Sequence, residues 1–191
     1  PLVEPSSLRG LLRRMRDTYI DFVRPRLLAP LAPKNPYPKL VLLRRLTTAT
    51  EVKPLNLNSS ILDSGCGGGE WLSRLANIGF RDLNGCDPFM SEDRPDGRVR
   101  LHKCSLGEME GKYDLVSLSH VLEHIDDVKR EVELVRAKLN DGGIALIRIP
   151  VINTYAWKKY GGNWFQLDAP RHFTLFSTDG FEAMIGQLGL R

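Results

Sequence analysis

The order of apolar and polar positions predicts alternating strands and helices from residue 60 onward. Short apolar runs bounded by Gly, Asp and Pro have the length and composition of buried strands. Longer segments with apolar residues three and four positions apart predict helices between them. The predicted strands are Ser60–Ser64, Leu83–Cys86, Val99–His102, Tyr113–Leu118 and Ile144–Ile149, and the predicted helices are Glu70–Ile78, Asp126–Leu139 and Ser177–Leu188. This alternation is typical of a doubly wound, mostly parallel α/β sheet.

Three local features refine this prediction. Asp126 is the predicted N-cap of the second helix, because Asp accepts hydrogen bonds from the free N–H groups of a first turn. An Asp141-Gly142-Gly143 turn is predicted to precede the fifth strand. Residues 151–176 are rich in aromatic side chains but lack a clear period, so we expect irregular structure there.

The first part of the chain differs from the rest in charge and in pattern. Residues 1–58 are predicted to form a basic helical extension, and residues 59–191 the α/β domain. Residues 1–50 carry ten Lys/Arg and three Asp/Glu, although the net charge of the whole chain is only +4. A basic amphipathic helix of this kind packs on the domain core, contacts an anionic membrane surface, or binds an acidic acceptor. The sequence leaves these alternatives open.

Length and composition narrow the class of protein. A chain of 191 residues is long enough for one domain with a sizeable core. It has no apolar run of the roughly 18 residues that a membrane span needs. Its three cysteines, Cys66, Cys86 and Cys104, lack C-x-x-C spacing, so we expect reduced thiols, no metal site and a cytoplasmic protein. The chain opens at Pro1, which suggests a processed protein or a fragment.

The most informative run is Ile61–Gly69, which ends a strand and continues as D-x-G-x-G-x-G. Glycine allows positive φ and close approach of a ligand to the backbone. A strand, a Gly-rich turn and a helix together present free N–H groups at the carboxyl end of the strand, where open α/β sheets bind nucleotides. A second acid, Asp87, follows the next strand and is suited to accept both hydroxyl protons of a ribose.

The same run also has to be compared with the dinucleotide fingerprint G-x-G-x-x-G. Gly65 and Gly67 fit that fingerprint, but Glu70 occupies its third glycine position. A carboxylate there repels a pyrophosphate, and Asp63 adds further negative charge. The pattern therefore favours a ligand without phosphate and with a positive centre over a nicotinamide cofactor.

This run resembles motif I of the class I S-adenosylmethionine (SAM) dependent methyltransferases, and Asp87 matches their ribose-binding acid. Tyr113–His124 and Lys138–Gly143 are similar to two further segments of the family. Asn163–Phe173 resembles a broad bacterial branch that includes enzymes like the quinone-biosynthesis O-methyltransferases. The resemblance implies a Rossmann-like methyltransferase fold in which strands six and seven, which usually end the family's sheet, are missing.

The resemblance also implies SAM as methyl donor and S-adenosylhomocysteine (SAH) as product. Asp63 and the glycine turn would shape the methionine pocket, Asp87 would hold the ribose, and Ser119 and His120 would close the pocket. Many relatives have an acid after strand three to contact adenine, where this chain has Cys104-Ser105, so Ser105 or a backbone group would replace it. The implied cofactor residues are Asp63, Gly65, Cys66, Gly67, Gly69, Asp87, Pro88, Ser105, Leu106, Ser119 and His120.

Two histidines are candidates for the chemistry. His172 lies after the fifth strand, where the acceptor is expected, and a histidine suits the removal of an acceptor proton near neutral pH. His120 is expected to line the site from the fourth strand. The run from His120 to His124 also matches H-x-x-E-H, a zinc-hydrolase pattern. That chemistry requires both histidines on one helical turn, whereas this run straddles a predicted strand end.

The functional prediction is methyl transfer to a small-molecule, lipid or glycan acceptor. The alternative is a non-catalytic SAM-binding or partner-binding module, favoured by the missing strands and the missing adenine acid. A nucleic-acid acceptor is disfavoured, because the aromatic residues of the basic helix, Tyr19 and Phe22, both lie on its apolar stripe. The sequence does not indicate the acceptor, the atom methylated or the oligomeric state.

Overall fold

The structure is a computed structural model that describes residues 55–94 and 97–190. The predicted basic helix lies outside the described residues, and so does the membrane contact suggested for it. The domain boundary at residue 58 stays a prediction. No helix within the described ranges has the length and apolar character needed to cross a membrane.

The described residues form one sheet of five parallel strands, as the sequence pattern predicts. The strands are β1 (Ser60–Ser64), β2 (Asp82–Cys86), β3 (Arg100–His102), β4 (Tyr113–Ser119) and β5 (Leu139–Arg148). Their order in the sheet is β3-β2-β1-β4-β5. Successive strands are added on one side of β1 up to β3 and on its other side from β4 onward, so the strand order reverses between β1 and β4. In open α/β sheets the crevice at such a switch point binds ligands. This architecture confirms the predicted doubly wound, parallel α/β sheet.

The first helix, α1 (Glu70–Ile78), has the predicted bounds and packs against β2. It buries Trp71, Leu72 and Leu75 on one face, which is the amphipathic stripe that helical spacing predicts. Its C-cap, Gly79, has φ 115° and donates its N–H to the last carbonyls of the helix. A residue with a Cβ is strained in that conformation, so glycine ends the helix here.

The second helix, α2 (Val128–Ala137), packs against β5 and begins later than the sequence pattern predicts. Its N-cap is Asp127, whose Oδ1 accepts a hydrogen bond from the Arg130 N–H at 3.0 Å. The prediction of Asp126 as N-cap is therefore wrong. Val128, Val132 and Val135 are all buried at helical spacing, and this stripe fixes the rotation of the helix that makes Asp127 the cap.

The fifth strand begins earlier than predicted, because the expected turn is a bulge within it. Tyr113 pairs with Leu139, but the next pair is Leu115 with Ile144. Four residues of β5 therefore lie opposite a single residue of β4, which makes a bulge. Gly142, within this bulge, has φ 72°. Sequence alone identifies the glycines, but only pairing with β4 decides that the strand continues on both sides of them.

Two further helices follow β5: α3 (Tyr155–Tyr160) and α4 (Thr178–Gln187). The structure confirms a helix at the predicted C-terminal position, whereas α3 lies in the segment predicted to be irregular. The α3 helix is capped by the Thr154 hydroxyl, which accepts from the Trp157 N–H at 3.4 Å. It has no fully buried residue, so it lacks the apolar stripe from which a helix is recognised in a sequence.

Candidate functional site

The glycine turn after β1 is fastened to the end of β2. The N–H groups of Gly65 and Cys66 both donate to the Cys86 carbonyl, at 2.8 and 3.2 Å. Gly65, Gly67 and Gly69 all have positive φ, between 51° and 76°, a region that costs residues with a Cβ about 1–2 kcal/mol. The alternating glycines thus fold the turn back over the carboxyl edge of the sheet.

Gly65 also allows a close contact with the segment that follows β4. A Cβ on Gly65 would lie 2.4 Å from Val121 Cγ2, whereas a Cβ on Gly67 would meet no atom within 4 Å. Gly65 is therefore required by packing as well as by φ. Gly67 faces open space, which leaves its backbone accessible to a ligand.

Asp87 lies beside this turn, and its carboxylate is bonded to two backbone groups. Oδ2 accepts from the Gly67 N–H at 3.0 Å, and Oδ1 accepts from the Phe89 N–H at 2.8 Å. A carboxylate has about four lone-pair sites, so each oxygen keeps the capacity to accept another hydrogen bond. The acid predicted to bind ribose and the predicted glycine turn are thus in direct contact.

A cavity of about 550 Å³ opens next to Asp87 and the glycine turn, within the usual range for ligand pockets. Its lining residues are Gly67, Gly68, Asp87, Phe89, Met90, Ser91, Glu92 and Arg94. Phe89 is 94% exposed, and Arg94 Nη2 donates to the Gly68 carbonyl at 3.1 Å. The sequence analysis did not single out these two residues. An apolar ring two positions after the ribose acid, within a polar link, is the signal that indicates Phe89.

Asp63 lies below the turn rather than in the cavity. It is 2% exposed, and the Ser117 hydroxyl of β4 donates to its Oδ1. Burial, together with the negative charges of Asp63 and Asp87, raises the pKa of the Cys66 thiol to about 12. Cys66 therefore remains a protonated thiol in this turn at neutral pH, and Ser117 is a site residue that the sequence analysis missed.

The predicted adenine residues occupy a capped turn after β3. The backbone N–H and the hydroxyl of Ser105 both donate to Glu108 Oε2, at 2.8 and 2.6 Å. These bonds lower the pKa of the Glu108 carboxyl. Leu106 is 2% exposed and belongs to the hydrophobic core. An acid is thus present at this loop, three residues after Ser105, and the S-x-x-E spacing is the signal for it.

Ser119 is the last residue of β4, and His120 follows it at the switch point of the sheet. The Ser119 Oγ is buried and has no hydrogen-bond partner in the part of the chain that the structure describes. His120 has φ 58°, and its N–H donates to the Arg148 carbonyl of β5 at 2.9 Å. Its Nδ1 lies 3.0 Å from Glu123 Oε1. Neither residue lines the 550 Å³ cavity, nor do Ser105, Leu106 and Pro88.

His172, the other histidine of the predicted site, forms a second cluster with His124 of the H-x-x-E-H run. His172 Nδ1 lies 2.8 Å from the Gln166 carbonyl, and its ring meets the His124 ring edge to face at 4.7 Å. Only 7% of the His172 side chain is exposed. The H-x-x-E-H run does not form the single helical turn of a zinc hydrolase, because His120 follows a strand and Leu122–His124 is a 3₁₀ turn.

Comparison with known proteins identifies the family. A family model described as a methyltransferase domain matches residues 12–191, which is most of the chain. No curated protein sequence gives a significant match.

Solved structures share the fold at low sequence identity. The YcgJ protein of Bacillus subtilis has a TM-score of 0.57 at 16% identity, over 76% of this chain and 66% of its own. A SAM-dependent methyltransferase from Mesorhizobium loti has a TM-score of 0.55 at 16% identity, over 78% of both chains. Magnesium protoporphyrin IX methyltransferase from Synechocystis, with bound SAH, has a TM-score of 0.52 at 19% identity, over 70% of this chain and 65% of its own.

The chain therefore spans about two thirds of the length of the first and third of these structures. The likeness to the solved structures concerns the fold, whereas the family model covers nearly the whole sequence. The family model matches most of the chain, and the parallel sheet carries the glycine turn and Asp87 at the carboxyl ends of β1 and β2. The chain therefore belongs to the class I SAM-dependent methyltransferases.

Proposed function

We propose that this protein transfers the methyl group of SAM to a small-molecule, lipid or glycan acceptor and releases SAH. The observation that carries the proposal is the contact between the Asp87 carboxylate and the Gly67 N–H at the edge of the cavity. In this arrangement the two Asp87 oxygens accept the ribose hydroxyls. The exposed Phe89 ring offers an apolar surface to the adenine.

The remaining cofactor residues complete the pocket in this proposal. The open backbone at Gly67 admits the methionine part of SAM, with Gly65, Cys66 and Gly69 shaping the turn around it. Ser119, whose Oγ has no hydrogen-bond partner among the described residues, and His120 lie outside the 550 Å³ cavity, and in this proposal they close the pocket around bound SAM from the β4 side. Pro88 and the Ser105–Glu108 pair lie outside the cavity lining and border the adenine of bound SAM in this proposal, whereas Leu106 is buried in the core and anchors the loop. Asp63 acts from below by holding β1 to β4 through Ser117.

The reaction itself is a displacement at the methyl carbon. A lone pair of the acceptor forms the new bond to carbon, and the electrons of the carbon–sulfur bond return to sulfur as SAH forms. The main task of the protein is to align the two reactants. If the acceptor atom is a hydroxyl oxygen, a base has to take its proton.

His172 is the proposed base, and the available nitrogen is Nε2. Nδ1 faces the Gln166 carbonyl, which only accepts hydrogen bonds, so Nδ1 carries the hydrogen and Nε2 the lone pair. His172→Gln is expected to lower kcat while SAH affinity is kept. Full turnover in that variant would remove His172 from the mechanism.

The cofactor proposal is tested by calorimetric titration with SAH, with NADH as a second ligand. We expect SAH to bind near the micromolar range, about −8 kcal/mol, and NADH not to bind. Asp87→Ala should weaken SAH binding at least about 100-fold, because a hydrogen bond to a charged group contributes about 1.5–3 kcal/mol and two are lost.

Two variants make the result specific. Asp87→Asn keeps one oxygen acceptor and should fall between wild type and Asp87→Ala. Asp141→Ala removes an exposed acid near the start of β5. This position lies towards the amino-terminal ends of the parallel strands, whereas Asp87 follows a carboxyl end, so the variant should bind SAH like wild type. Equal SAH affinity in wild type and Asp87→Ala would contradict the assignment of the ribose site. Binding of SAH without turnover over a broad acceptor panel would favour the SAM-binding module.

A further inference from the structure

Two segments that are far apart in sequence bring three metal-ligating side chains together. Glu123 and His124 lie in the 3₁₀ turn Leu122–His124 after β4, and His172 lies in the loop before α4. One ligand atom from each residue lies within 4.8 Å of the ligand atoms of the other two. We call these three residues the Glu-His-His cluster.

Both imidazoles of the Glu-His-His cluster are oriented by backbone carbonyls. His124 Nδ1 lies 2.9 Å from the Arg171 carbonyl, and His172 Nδ1 lies 2.8 Å from the Gln166 carbonyl. A carbonyl only accepts, so each Nδ1 carries the hydrogen and each neutral ring keeps a lone pair on Nε2. Histidines that bind metals are usually held in this way, with the other ring nitrogen donating to a carbonyl or carboxylate.

Glu123 supplies an independent observation. The residue is 1% exposed, and its Oε1 lies 3.0 Å from His120 Nδ1. Its Oε2 is buried without a hydrogen-bond partner among residues 55–94 and 97–190. A buried carboxylate oxygen that lacks a donor is costly, and a bound cation satisfies it directly.

The scaffold around the cluster is tied together by backbone contacts as well. The Phe173 N–H donates to the Glu123 carbonyl at 2.8 Å, so the two segments are adjacent without any metal. Asp168 Oδ2 lies 3.9 Å from His172 Nε2, while Asp168 Oδ1 accepts from Arg171 Nη2 at 2.5 Å. Asp168 is therefore near enough to act as a fourth ligand, or to hydrogen-bond a metal-bound water.

We propose that Glu123, His124 and His172 bind a divalent transition-metal ion through one carboxylate oxygen and two Nε2 atoms. Zinc suits this donor set best, since two imidazoles and one carboxylate with a further open position are a common zinc arrangement. Ligand atoms at about 2.0–2.2 Å from one zinc ion lie at most about 4.4 Å apart, which is close to the 4.8 Å within which the three ligand atoms already lie. The His124 ring is exposed, so it can adjust its position while Nδ1 keeps its contact with the Arg171 carbonyl.

The metal would fasten the loop that carries His172 to the turn after β4. It would also occupy the Nε2 lone pair that the base role of His172 requires. In the metal-loaded protein the two roles of His172 therefore exclude each other. The metal proposal does not depend on methyl transfer, and its test uses metal content rather than activity.

The test uses tag-free protein that is freed of metal by a chelator, given Zn²⁺ and dialysed. Metal content is then measured by elemental analysis, and affinity by calorimetric titration with Zn²⁺. We expect one zinc per wild-type chain. His124→Gln and His172→Gln should each weaken binding at least about tenfold, and the double variant should retain no zinc.

The matched control is His102→Gln, which removes a histidine of β3 outside the cluster and should bind zinc like wild type. Because Glu123 is buried, Glu123→Gln is compared with His124→Gln, whose exposed side chain can be replaced without opening the core. SAH titration of each variant checks that the fold is kept. Absence of zinc from wild type, or equal zinc content in wild type and the double variant, overturns the proposal.

Discussion

At the scale of single residues, the three alternating glycines of the turn share a backbone conformation but not an environment. Gly65, Gly67 and Gly69 all take φ values that disfavour side chains, but their surroundings differ. Gly65 lies against Val121, whereas Gly67 faces open space. The sequence identifies all three as necessary for the turn, and the structure separates those required by packing from those required only by conformation.

This difference predicts unequal effects of alanine. Gly67→Ala should lower the free energy of unfolding by about 1–2 kcal/mol, the cost of the left-handed conformation. Gly65→Ala should lower it by about 1–3 kcal/mol more, because its Cβ also overpacks against Val121. Urea unfolding measures both values. Equal destabilisation by the two substitutions would show that Val121 simply moves away.

At the scale of elements, the start of α2 depends on a choice between two adjacent acids. Asp126 and Asp127 are equally good caps by residue type. The buried stripe of Val128, Val132 and Val135 selects Asp127, whose side chain reaches the Arg130 N–H. Tertiary packing therefore decides which of the two adjacent acids caps the helix, a choice that the local sequence does not specify.

The two acids form a matched pair for a stability measurement. Asp127→Ala should lower the free energy of unfolding by about 1 kcal/mol, since an N-cap side chain is lost. Asp126→Ala should change it by less than about 0.5 kcal/mol, the usual range for exposed positions. Urea denaturation of both variants decides between the caps. A larger loss in Asp126→Ala would mean that the cap lies one residue earlier.

At the scale of the whole molecule, the Cys66 and Cys86 thiols link stability to pH. Burial raises the pKa of Cys86 from 9.0 to about 12, and the pKa of Cys66 rises similarly. In the unfolded chain each thiol titrates near its ordinary value. Above about pH 9 the unfolded state therefore binds fewer protons than the folded state, and the free energy of unfolding falls as pH rises. Below about pH 9 both thiols are protonated in the folded and the unfolded state, so they do not make the free energy of unfolding depend on pH.

This slope is measurable by urea unfolding at pH 8, 9 and 10 under reducing conditions. Wild type should lose stability over this range more steeply than Cys86→Ala, by up to about 1.4 kcal/mol per pH unit. The comparison of slopes removes the effects of other groups, such as Tyr113, whose pKa is also raised by burial. Parallel slopes would mean that the Cys86 thiol ionises as easily in the folded protein as in the unfolded chain.

Much of this fold and of the candidate cofactor site was predictable from the chain alone. The order of strands and helices, the bounds of β1 and α1, and the pairing of the glycine turn with Asp87 all follow from local patterns. The physical reason is that apolar spacing, glycine φ and the carboxyl ends of adjacent parallel strands are properties of short segments. The same patterns carried the resemblance to the methyltransferase family.

Other features required the tertiary structure. The bulge in β5 depends on its register with β4, and the contact of Asp63 with Ser117 joins residues 54 positions apart. The Glu-His-His cluster likewise combines a turn after β4 with a loop nearly fifty residues later, whereas the sequence analysis expected no metal site. Such contacts depend on how distant segments pack against each other, which spacing along the chain does not encode.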